Sequence, residues 1–376
     1  MGRSGLASTP KSVNIALTGK CNLRCKYCFY ADEMEALKDL PTEAWLTFFR
    51  QLTEMGVMDV TLSGGEVLTR PDLFVLIDGV IQNRLRYCLL TNGTLVDEEV
   101  VGQFDVGKRR LRLNYIQVSI DGSTAEVHDA SRPKSFDRAI RGLRLLKGAG
   151  LPVTVRVTIN RHNLDDLENL ARLLLEDVGV SSIGTNDAMP VGAGCHAADD
   201  VALTSGEKAR AMETMGRLAR RYPGRLTASA GPQAKLRMYA EMELAARTGE
   251  LAHGWSMGNL SACGCVYSMI DVLHDGSIVP CAMLPDLVMG KIQTDSLAEI
   301  WREHPTMQAM RARRSIPMKE VEGCQQCEWS SYCNGSCPGL AHQLTGELNR
   351  ANPEDCYRRF LMEVESPHAT RLPVLR

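Results

Sequence analysis

The chain has 376 residues, 44% of them hydrophobic, and a formal net charge of −2. This length accommodates one large domain and a smaller one, and the balanced charge provides neither a basic face for nucleic acid nor an acidic tail. The first fifteen residues hold no apolar run of signal-peptide length, and no later segment is apolar enough to span a bilayer. We therefore expect a cytoplasmic protein with neither nucleic acid nor a membrane as partner.

The first part of the chain alternates short apolar runs with longer amphipathic stretches, which is the pattern of repeated β–α units around a parallel sheet. Six strands are predicted: Val13–Leu17, Val57–Leu62, Tyr87–Thr91, Tyr115–Ile120, Val153–Ile159 and Ser182–Asp187. The predicted helices are Glu43–Met55, Asp72–Gln82, Phe136–Lys147, Leu164–Leu175, Gly206–Arg221 and a bridging helix, Ala234–Ala246. The expected fold is α/β, a partial (β/α)6 barrel similar to a TIM barrel over residues 12–224, followed by a helical bridge over 225–262.

The cysteines are distributed unevenly along the chain. Eight of the thirteen lie between Cys263 and Cys356, among turns rich in Gly, Ser, Asn and Pro. We predict a second, cysteine-organised domain over residues 263–360 and a C-terminal tail over 361–376. Thirteen cysteines are too many for packing alone, and disulfides do not persist in a reducing compartment, so metal or cluster ligation is the leading explanation.

Cys21, Cys25 and Cys28 form a C-x3-C-x2-C loop directly after the first predicted strand. Structural zinc sites usually have four ligands, whereas a cubane iron–sulfur cluster held by three cysteines keeps one iron open. A zinc knuckle with a distant fourth ligand is the alternative, and the position of the loop at a barrel mouth favours the cluster. The ring of Tyr27 could form one wall of an adenine site, or it could be an ordinary core or surface tyrosine.

This loop resembles the motif of the radical SAM superfamily, C-x3-C-x-aromatic-C, with Tyr27 as the aromatic residue. Ser63–Glu66, directly after the second strand, resembles the family's GGE element, which binds the amino group and backbone of the methionine moiety. Gly64 and Gly65 would let the backbone approach that ligand, and Glu66 would supply an anion to its ammonium.

Further segments at predicted strand ends extend the resemblance. Thr91-Asn92-Gly93 is similar to the family's T-N-G element, which makes Asn92 a candidate contact, although an Asn-Gly turn needs no ligand. Val118–Gly122 resembles the segment that contacts the SAM ribose and carboxylate, with Ser119 as the donor, and Arg132 matches an arginine that grips the carboxylate. The resemblance implies that one electron from the cluster cleaves SAM and releases a 5'-deoxyadenosyl radical, which abstracts a substrate hydrogen.

The C-terminal cysteines resemble the SPASM pattern, which binds two auxiliary four-iron clusters. Its seven cysteines are matched by Cys263, Cys281, Cys324, Cys327, Cys333, Cys337 and Cys356. The resemblance implies that Cys263, Cys281 and Cys337 hold the first auxiliary cluster and that the other four hold the second. Cys265 is a candidate fourth ligand of the first cluster, whose fourth iron is alternatively open to substrate. A zinc ribbon is the alternative for part of this pattern, but seven cysteines fit two clusters better than one tetrahedral metal.

Three residues stay unassigned by these patterns. Cys88 lies on an apolar strand and is expected to be a small core residue. Cys195, in a glycine-rich loop beyond the sixth strand, is a candidate catalytic thiol that donates a hydrogen atom, or it is inert. His196 beside it is equally ambiguous.

The resemblance implies a radical SAM oxidoreductase with three 4Fe-4S clusters and S-adenosyl-L-methionine, of the type that matures ribosomally made peptides by a crosslink or an oxidation. One alternative is an anaerobic sulfatase maturase. Ala282 replaces that family's general-base Asp, although Asp286 could substitute. A second alternative is a peptide epimerase, in which Cys195 or Cys265 would return a hydrogen. A ferredoxin-like electron carrier and a zinc-stapled binding protein are the options outside enzymology.

The expected partners follow from the same resemblance. They are a peptide or protein substrate and a reductant such as flavodoxin or ferredoxin. Only some twenty residues precede Cys21, fewer than a leader-binding domain needs. A leader peptide would therefore be recognised by a separate protein or by another surface.

Overall fold

The computed structural model describes residues 8–228, 230–250 and 257–364. In these parts of the chain, ten strands form one sheet: β1 (Ser12–Thr18), β2 (Asp59–Gly64), β3 (Arg86–Thr91), β4 (Leu113–Ser119), β5 (Val153–Ile159), β6 (Ile183–Asp187), β7 (Leu226–Ala228), β8 (Met269–Val272), β9 (Ser277–Val279) and β10 (Gly290–Lys291). The strand order is β10-β9-β8-β1-β2-β3-β4-β5-β6-β7. Strands β1 to β8 pair in parallel, and β9 and β10 add antiparallel pairs at one edge. The prediction of an α/β fold is confirmed.

All six predicted strands are present, with ends that shift by at most two residues. Strands β7 to β10 were not predicted. They are only two to four residues long, so their side-chain alternation is too brief to stand out in the sequence. Strand β7 extends the sheet beyond β6, and β8 pairs with β1 in register from Ser12 opposite Met269. The sheet of the barrel therefore continues into the cysteine-rich region.

The helices of the described chain cover this sheet. They are α1 (Ala31–Ala36), α2 (Thr42–Glu54), α3 (Leu73–Gln82), α4 (Glu98–Gln103), α5 (Arg109–Arg112), α6 (Ala125–Asp129), α7 (Phe136–Gly148), α8 (Leu167–Arg172), α9 (Ala193–His196), α10 (Ala198–Val201), α11 (Ser205–Arg221), α12 (Gly231–Thr248), α13 (Cys265–Ser268), α14 (Leu297–Glu303), α15 (Pro305–Ala312), α16 (Pro338–Thr345) and α17 (Tyr357–Val364). In α2, Trp45, Phe49 and Leu52 are fully buried at helical spacing and belong to the same core as the strands.

One predicted helix, Leu164–Leu175, is helical throughout but changes its hydrogen-bonding pattern along its length. It begins as a 3-10 turn (Leu164–Asp166), continues as α8 and ends as a π-helix (Leu173–Asp177). The Asp166 carboxylate accepts hydrogen bonds from the backbone N and the hydroxyl of Ser123, both at 2.6 Å. This pair ties the first turn to the loop after β4, a constraint that sequence periodicity does not reveal.

The second region packs on the barrel through both the sheet and its helices. Asn14 Nδ2 on β1 donates to Asp271 Oδ1 on β8 at 2.8 Å. A separate core forms where Tyr239 of α12 contacts Tyr357 and Phe360 of α17, with ring centroids 4.4 and 5.2 Å apart. The cysteine-rich region is therefore fastened to both ends of the barrel sheet.

The predicted domain limits stay predictions, but two details of the structure bear on them. The tail predicted from residue 361 begins inside α17, which runs to Val364, and residues 365–376 lie outside the described residues. Ser229 and residues 251–256 of the predicted bridge also lie outside them. No helix in the described part of the chain is long and apolar enough to cross a membrane.

Candidate active site

The loop that carries Cys21, Cys25 and Cys28 leaves β1 at the C-terminal edge of the sheet. Asp39 anchors its start by accepting a hydrogen bond from the Thr18 hydroxyl at 2.6 Å. Burial raises the pKa of the Cys28 thiol to about 11, and the charges of Cys25 and Cys21 contribute to the rise. The three thiols therefore lie close enough to act on one another.

Gly64 and Gly65 pack directly against this loop. A Cβ atom on Gly64, whose φ is +138°, would lie 2.3 Å from the Thr18 carbonyl oxygen, and one on Gly65 would lie 2.4 Å from the Lys20 carbonyl oxygen. The backbone N of Gly65 donates to Thr18 O at 2.8 Å. The close approach to the cysteine loop by itself requires glycine at both positions, and their predicted contact with a ligand stays a prediction.

Glu66 is 1% exposed and connects the loop to the end of β3. Its carboxylate accepts hydrogen bonds from the Thr91 hydroxyl at 2.7 Å and from the Asn92 backbone N at 2.6 Å. Burial raises the pKa of Glu66, and these donors oppose the rise. The Asn92 side chain donates to Asn22 Oδ1 at 2.9 Å. Both residues thus hold two loops together, and their direct contact with SAM stays a prediction.

A buried group at the end of β4 links Arg132 and Tyr27. The centre of this group is Asp121, whose Oδ2 accepts hydrogen bonds from Arg132 Nε at 2.6 Å and from the Tyr27 hydroxyl. Its Oδ1 accepts from the Thr158 backbone N at 2.7 Å. The Arg132 guanidinium lies 5.4 Å from the Tyr27 ring centroid, and its Nη1 lies 3.7 Å from Cys25 Sγ. The structure therefore brings two of the predicted SAM contacts together beside the cysteine loop.

Sequence reasoning gave Asp121 no role. Its position at the carboxyl end of a parallel strand was the available signal, because barrels place their sites at that edge. His128 supports it, since its Nδ1 accepts from the Asp121 backbone N at 3.1 Å and its Nε2 lies 3.0 Å from Ser135 Oγ. Burial lowers the pKa of His128 to about 4, so the ring is neutral. The predicted donor Ser119 is partly exposed at the end of the same strand.

The first auxiliary set contains four cysteines. Cys265 forms side-chain hydrogen bonds with Cys263 and Cys281, which raise its pKa, and the bond with Cys265 lowers the pKa of Cys263 to about 6. Burial raises the pKa of Cys337 to about 12, with contributions from the charges of Cys281 and Cys263. The structure thus groups Cys265 with the three cysteines expected from the SPASM pattern.

The second auxiliary set lies farther along the same region. Burial raises the pKa of Cys333 to about 11, and the charges of Cys324, Cys356 and Cys327 contribute. The amide of Gly335 donates to Cys333 Sγ at 3.3 Å. The four thiols, contributed by two turns and the residue before α17, therefore lie close enough for their charges to act on Cys333, and their role as cluster ligands stays a prediction.

The donor chemistry of all three sets fits iron–sulfur clusters. Every member is a thiol, and the sets contain three, four and four cysteines. No three His, Cys, Asp or Glu side chains of the described residues converge tightly enough for a single metal ion. Cysteine thiolates are the usual ligands of cubane clusters.

A cleft of about 740 Å³ lies between the barrel mouth and the first auxiliary set. Residues of the loop after β6, such as Pro190, line one side, and Cys263 and Cys337 line the other. The side chain of Lys235, on α12, forms part of the cleft wall. Its Nζ lies 2.8 Å from Asp187 Oδ2 and 2.8 Å from Asp355 Oδ1. These three residues, called here the Lys235 triad, join the end of β6 to the residue before Cys356. No sequence motif predicted this contact.

The remaining candidates lie apart from these sets. Cys88 is buried on β3 and packs near Tyr115. Cys195 is exposed, its thiol donates to the Pro190 carbonyl oxygen at 3.0 Å, and neighbouring His196 is also exposed. The side chain of Asp286 is 53% exposed and lies 2.6 Å from His342 Nε2. Asp286 is thus a surface residue paired with α16.

An α/β barrel whose strand ends carry one thiol set, and whose sheet continues into a region with two more, defines an iron–sulfur enzyme. A family model of the radical SAM superfamily matches residues 15–174, and a model of the SPASM iron–sulfur cluster-binding domain matches residues 263–328. The chain belongs to the radical SAM superfamily and carries a C-terminal SPASM domain. It therefore binds iron–sulfur clusters and SAM.

Relatives share most of their length with this chain. An AdoMet-dependent heme synthase of Methanosarcina barkeri is 28% identical over 94% of this chain and 98% of its own. A PqqA peptide cyclase of Gluconobacter oxydans is 27% identical over 93% and 91%. Among solved structures, Streptococcus suis SuiB bound to its precursor peptide SuiA superposes with a TM-score of 0.71 at 17% identity, over 93% of this chain and 76% of that one. This last likeness concerns the fold.

Proposed function

We propose that the chain is a peptide maturase that abstracts a hydrogen from a ribosomally made peptide and produces a crosslink or an oxidation. The observation that carries the proposal is the cleft between the barrel mouth and the first auxiliary set. A substrate bound there would contact the loop after β6 on one side and Cys263 and Cys337 on the other. Its volume lies in the range of pockets for small molecules and short peptide segments, roughly 300–1,000 Å³.

The charges of the cleft wall favour a peptide over a porphyrin, the substrate type that the heme synthase relative suggests. Four basic side chains line the cleft, and each forms an ion pair with a carboxylate: Lys235 in its triad, Lys208 with Glu354, Arg161 with Glu207 and Arg359 with Glu363. A porphyrin precursor carries several carboxylates, which need free cations for binding. A neutral peptide segment needs none.

The lining also includes small apolar side chains that leave room for a main chain. Five alanines contribute to it: Ala188, Ala198, Ala202, Ala230 and Ala234. Small residues let an extended backbone approach closely, while polar atoms at the rim remain available to its amide groups. The cleft thus favours a neutral, extended segment with the rest of the peptide outside.

The three thiol sets and the residues beside the barrel loop would have separate roles. Cys21, Cys25 and Cys28 would hold the SAM-binding cluster, and the two auxiliary sets would hold one four-iron cluster each. Bound SAM and its cluster supply the one-electron chemistry that removes a hydrogen atom from the substrate. Arg132, fixed by Asp121, would orient the SAM carboxylate, and the Tyr27 ring would pack beside its adenine. A flavodoxin or ferredoxin would deliver electrons.

Anaerobic turnover tests the function directly. Reconstituted protein should contain about twelve irons per chain if three four-iron clusters form. With dithionite and SAM, short peptides encoded beside the gene should lose two hydrogens in mass spectrometry, and Fe-coproporphyrin III should remain unchanged. Conversion of the porphyrin without conversion of any peptide would overturn the proposal.

The same assay separates the alternatives. An epimerase would leave the peptide mass unchanged in ordinary water and add one deuterium in heavy water. A sulfatase maturase would oxidise a Cys or Ser in a sulfatase-derived peptide. Asp286, the candidate substitute base for that reaction, is exposed, pairs with His342 and does not line the cleft.

A further inference from the structure

Arg313 is a fully buried cation whose contacts do not balance its charge. It begins a 3-10 turn after α15 and is 0% exposed. Its Nε donates to the Ser261 carbonyl oxygen at 2.8 Å, and its Nη2 donates to the Arg350 carbonyl oxygen at 3.4 Å. Its Nη1 has no hydrogen-bond partner, and no carboxylate of the described residues forms an ion pair with it.

A buried guanidinium without a counter-charge is costly, so native proteins pair such groups. Burial lowers the pKa of Arg313 to about 10, which still leaves it charged at neutral pH. Ser261, whose carbonyl oxygen accepts from Arg313 Nε, also accepts through its hydroxyl from the Cys263 backbone N at 3.1 Å. The groups whose negative charge would oppose the decrease are Cys337 and Cys263, as thiolate ligands. Both belong to the first auxiliary set. The negative charge that would balance Arg313 is therefore available from the cluster ligands rather than from a carboxylate.

The second auxiliary set has a different environment. The arginines that act on Cys324 are Arg358, which is exposed, and Arg350, which is partly buried and already pairs with Glu322 and Glu347. Lys235, the nearby buried cation, is neutralised by two carboxylates. Exposed and paired charges have weak net effects because water and counter-ions screen them.

We propose that Arg313 is the counter-ion of the cluster held by Cys263, Cys265, Cys281 and Cys337, and that it raises the reduction potential of this cluster. Each added electron makes the cluster more negative, so a fixed buried cation stabilises the reduced state more than the oxidised state. Arg313 is a positioning residue in this role because it acts through the cluster. The inference concerns the cluster alone and does not depend on the identity of the substrate.

The test is a redox titration of the anaerobically reconstituted full-length protein, monitored by EPR. Arg313→Gln should lower the potential of one auxiliary cluster, so that its ratio of reduced to oxidised form at fixed potential falls about tenfold, which is about 59 mV for a one-electron couple. Arg313→Lys keeps the charge and should stay near the wild-type value. In a Cys281→Ala background, which lacks this cluster, Arg313→Gln should shift no remaining potential.

Arg311 provides the matched control. It lies two residues earlier, stacks over Trp301 and donates to the Val266 carbonyl oxygen, and the group that acts on its charge is Tyr267. Arg311→Gln should leave all potentials unchanged. Equal shifts in the Arg311 and Arg313 variants, or unchanged potentials in Arg313→Gln, would overturn the proposal.

If Arg313→Gln fails to assemble the cluster, the iron content of the two Arg313 variants provides the test. If Arg313→Gln loses about four irons and Arg313→Lys retains them, the positive charge is required and the proposal is supported. If both variants lose the cluster equally, guanidinium packing is the requirement, and the proposal is wrong.

Discussion

The barrel and the SPASM domain each bury an arginine beside cluster cysteines, but the two arginines are balanced differently. Arg132, next to Cys25, forms an ion pair with Asp121 at 2.6 Å. Arg313, near Cys263 and Cys337, binds two carbonyl oxygens and no carboxylate of the described residues. The charge of Arg132 is therefore balanced before any cofactor arrives. The SPASM site reaches balance only through its thiolates, so we expect its folding to be coupled more strongly to cluster binding.

The largest expected effect is the loss of one cluster, in either the barrel or the SPASM domain, because each loss should stop a different step. Cys21→Ala should abolish 5'-deoxyadenosine formation, because the SAM-binding cluster cannot form, whereas Cys281→Ala should retain SAM cleavage and lose peptide modification. Each variant should lose about four of about twelve irons. Product chromatography and iron analysis measure both. Cys88→Ala, a buried cysteine outside the three sets, is the control and should keep its iron. Loss of SAM cleavage in Cys281→Ala would show that the two regions are not separable.

The next effect concerns the bridge between the regions. Lys235→Met leaves the carboxylates of Asp187 and Asp355 buried without their cation and should destabilise the protein by about 3–5 kcal/mol. Anaerobic denaturation of the reconstituted protein measures the change. Arg217→Met breaks an exposed pair with Glu168 and should cost at most about 1 kcal/mol. Similar losses in the two variants would mean that the buried triad is not a structural bridge.

Asp121→Asn removes the counter-charge of Arg132, so that this arginine, like Arg313, lacks a carboxylate partner. We expect a loss of roughly 2–3 kcal/mol in the free energy of unfolding, because Arg132 loses its counter-charge while the asparagine retains an acceptor. SAM affinity, measured by equilibrium dialysis, should also fall, since Tyr27 and Arg132 lose their common anchor. Glu98→Gln breaks an exposed pair with Arg141 and is the control, with about 1 kcal/mol or less. Unchanged SAM affinity would argue against Arg132 as a ligand contact.

The smallest effect is a pH dependence that arises from His128. The folded-state pKa of His128, about 4, lies below the ordinary value of 6.5. The unfolded chain therefore binds the extra proton between these values, and the stability of the folded protein decreases as the pH is lowered. From pH 7.5 to 5.5 the free energy of unfolding should decrease by about 1.3 kcal/mol from this residue. His128→Gln should remove that part of the slope in anaerobic denaturation. Identical slopes for both proteins would contradict a buried neutral imidazole at this position.

Local sequence patterns predicted much of the fold and most of the candidate cluster ligands. The six strands of the barrel were readable because each buried run alternates or stays apolar over five to seven residues. Cysteine sets were readable because ligands on one turn must recur at short spacing, as Cys324, Cys327 and Cys333 do. The predicted helix Leu164–Leu175 is helical throughout, but its change of helical type and the bond from Asp166 to Ser123, a residue of a different loop, were not readable from the sequence.

The sequence by itself determined that the chain is a radical SAM protein with a SPASM region, since its motifs place thiols and glycines at fixed local intervals. Only the tertiary structure decided which charges meet. Asp121 with Arg132, Lys235 between Asp187 and Asp355, and Arg313 near Cys263 and Cys337 are contacts between distant segments. Such contacts depend on how the sheet continues from β1 into β8 and on how α12 crosses the barrel mouth. No spacing along the chain encodes them, because they arise from packing between elements rather than within one.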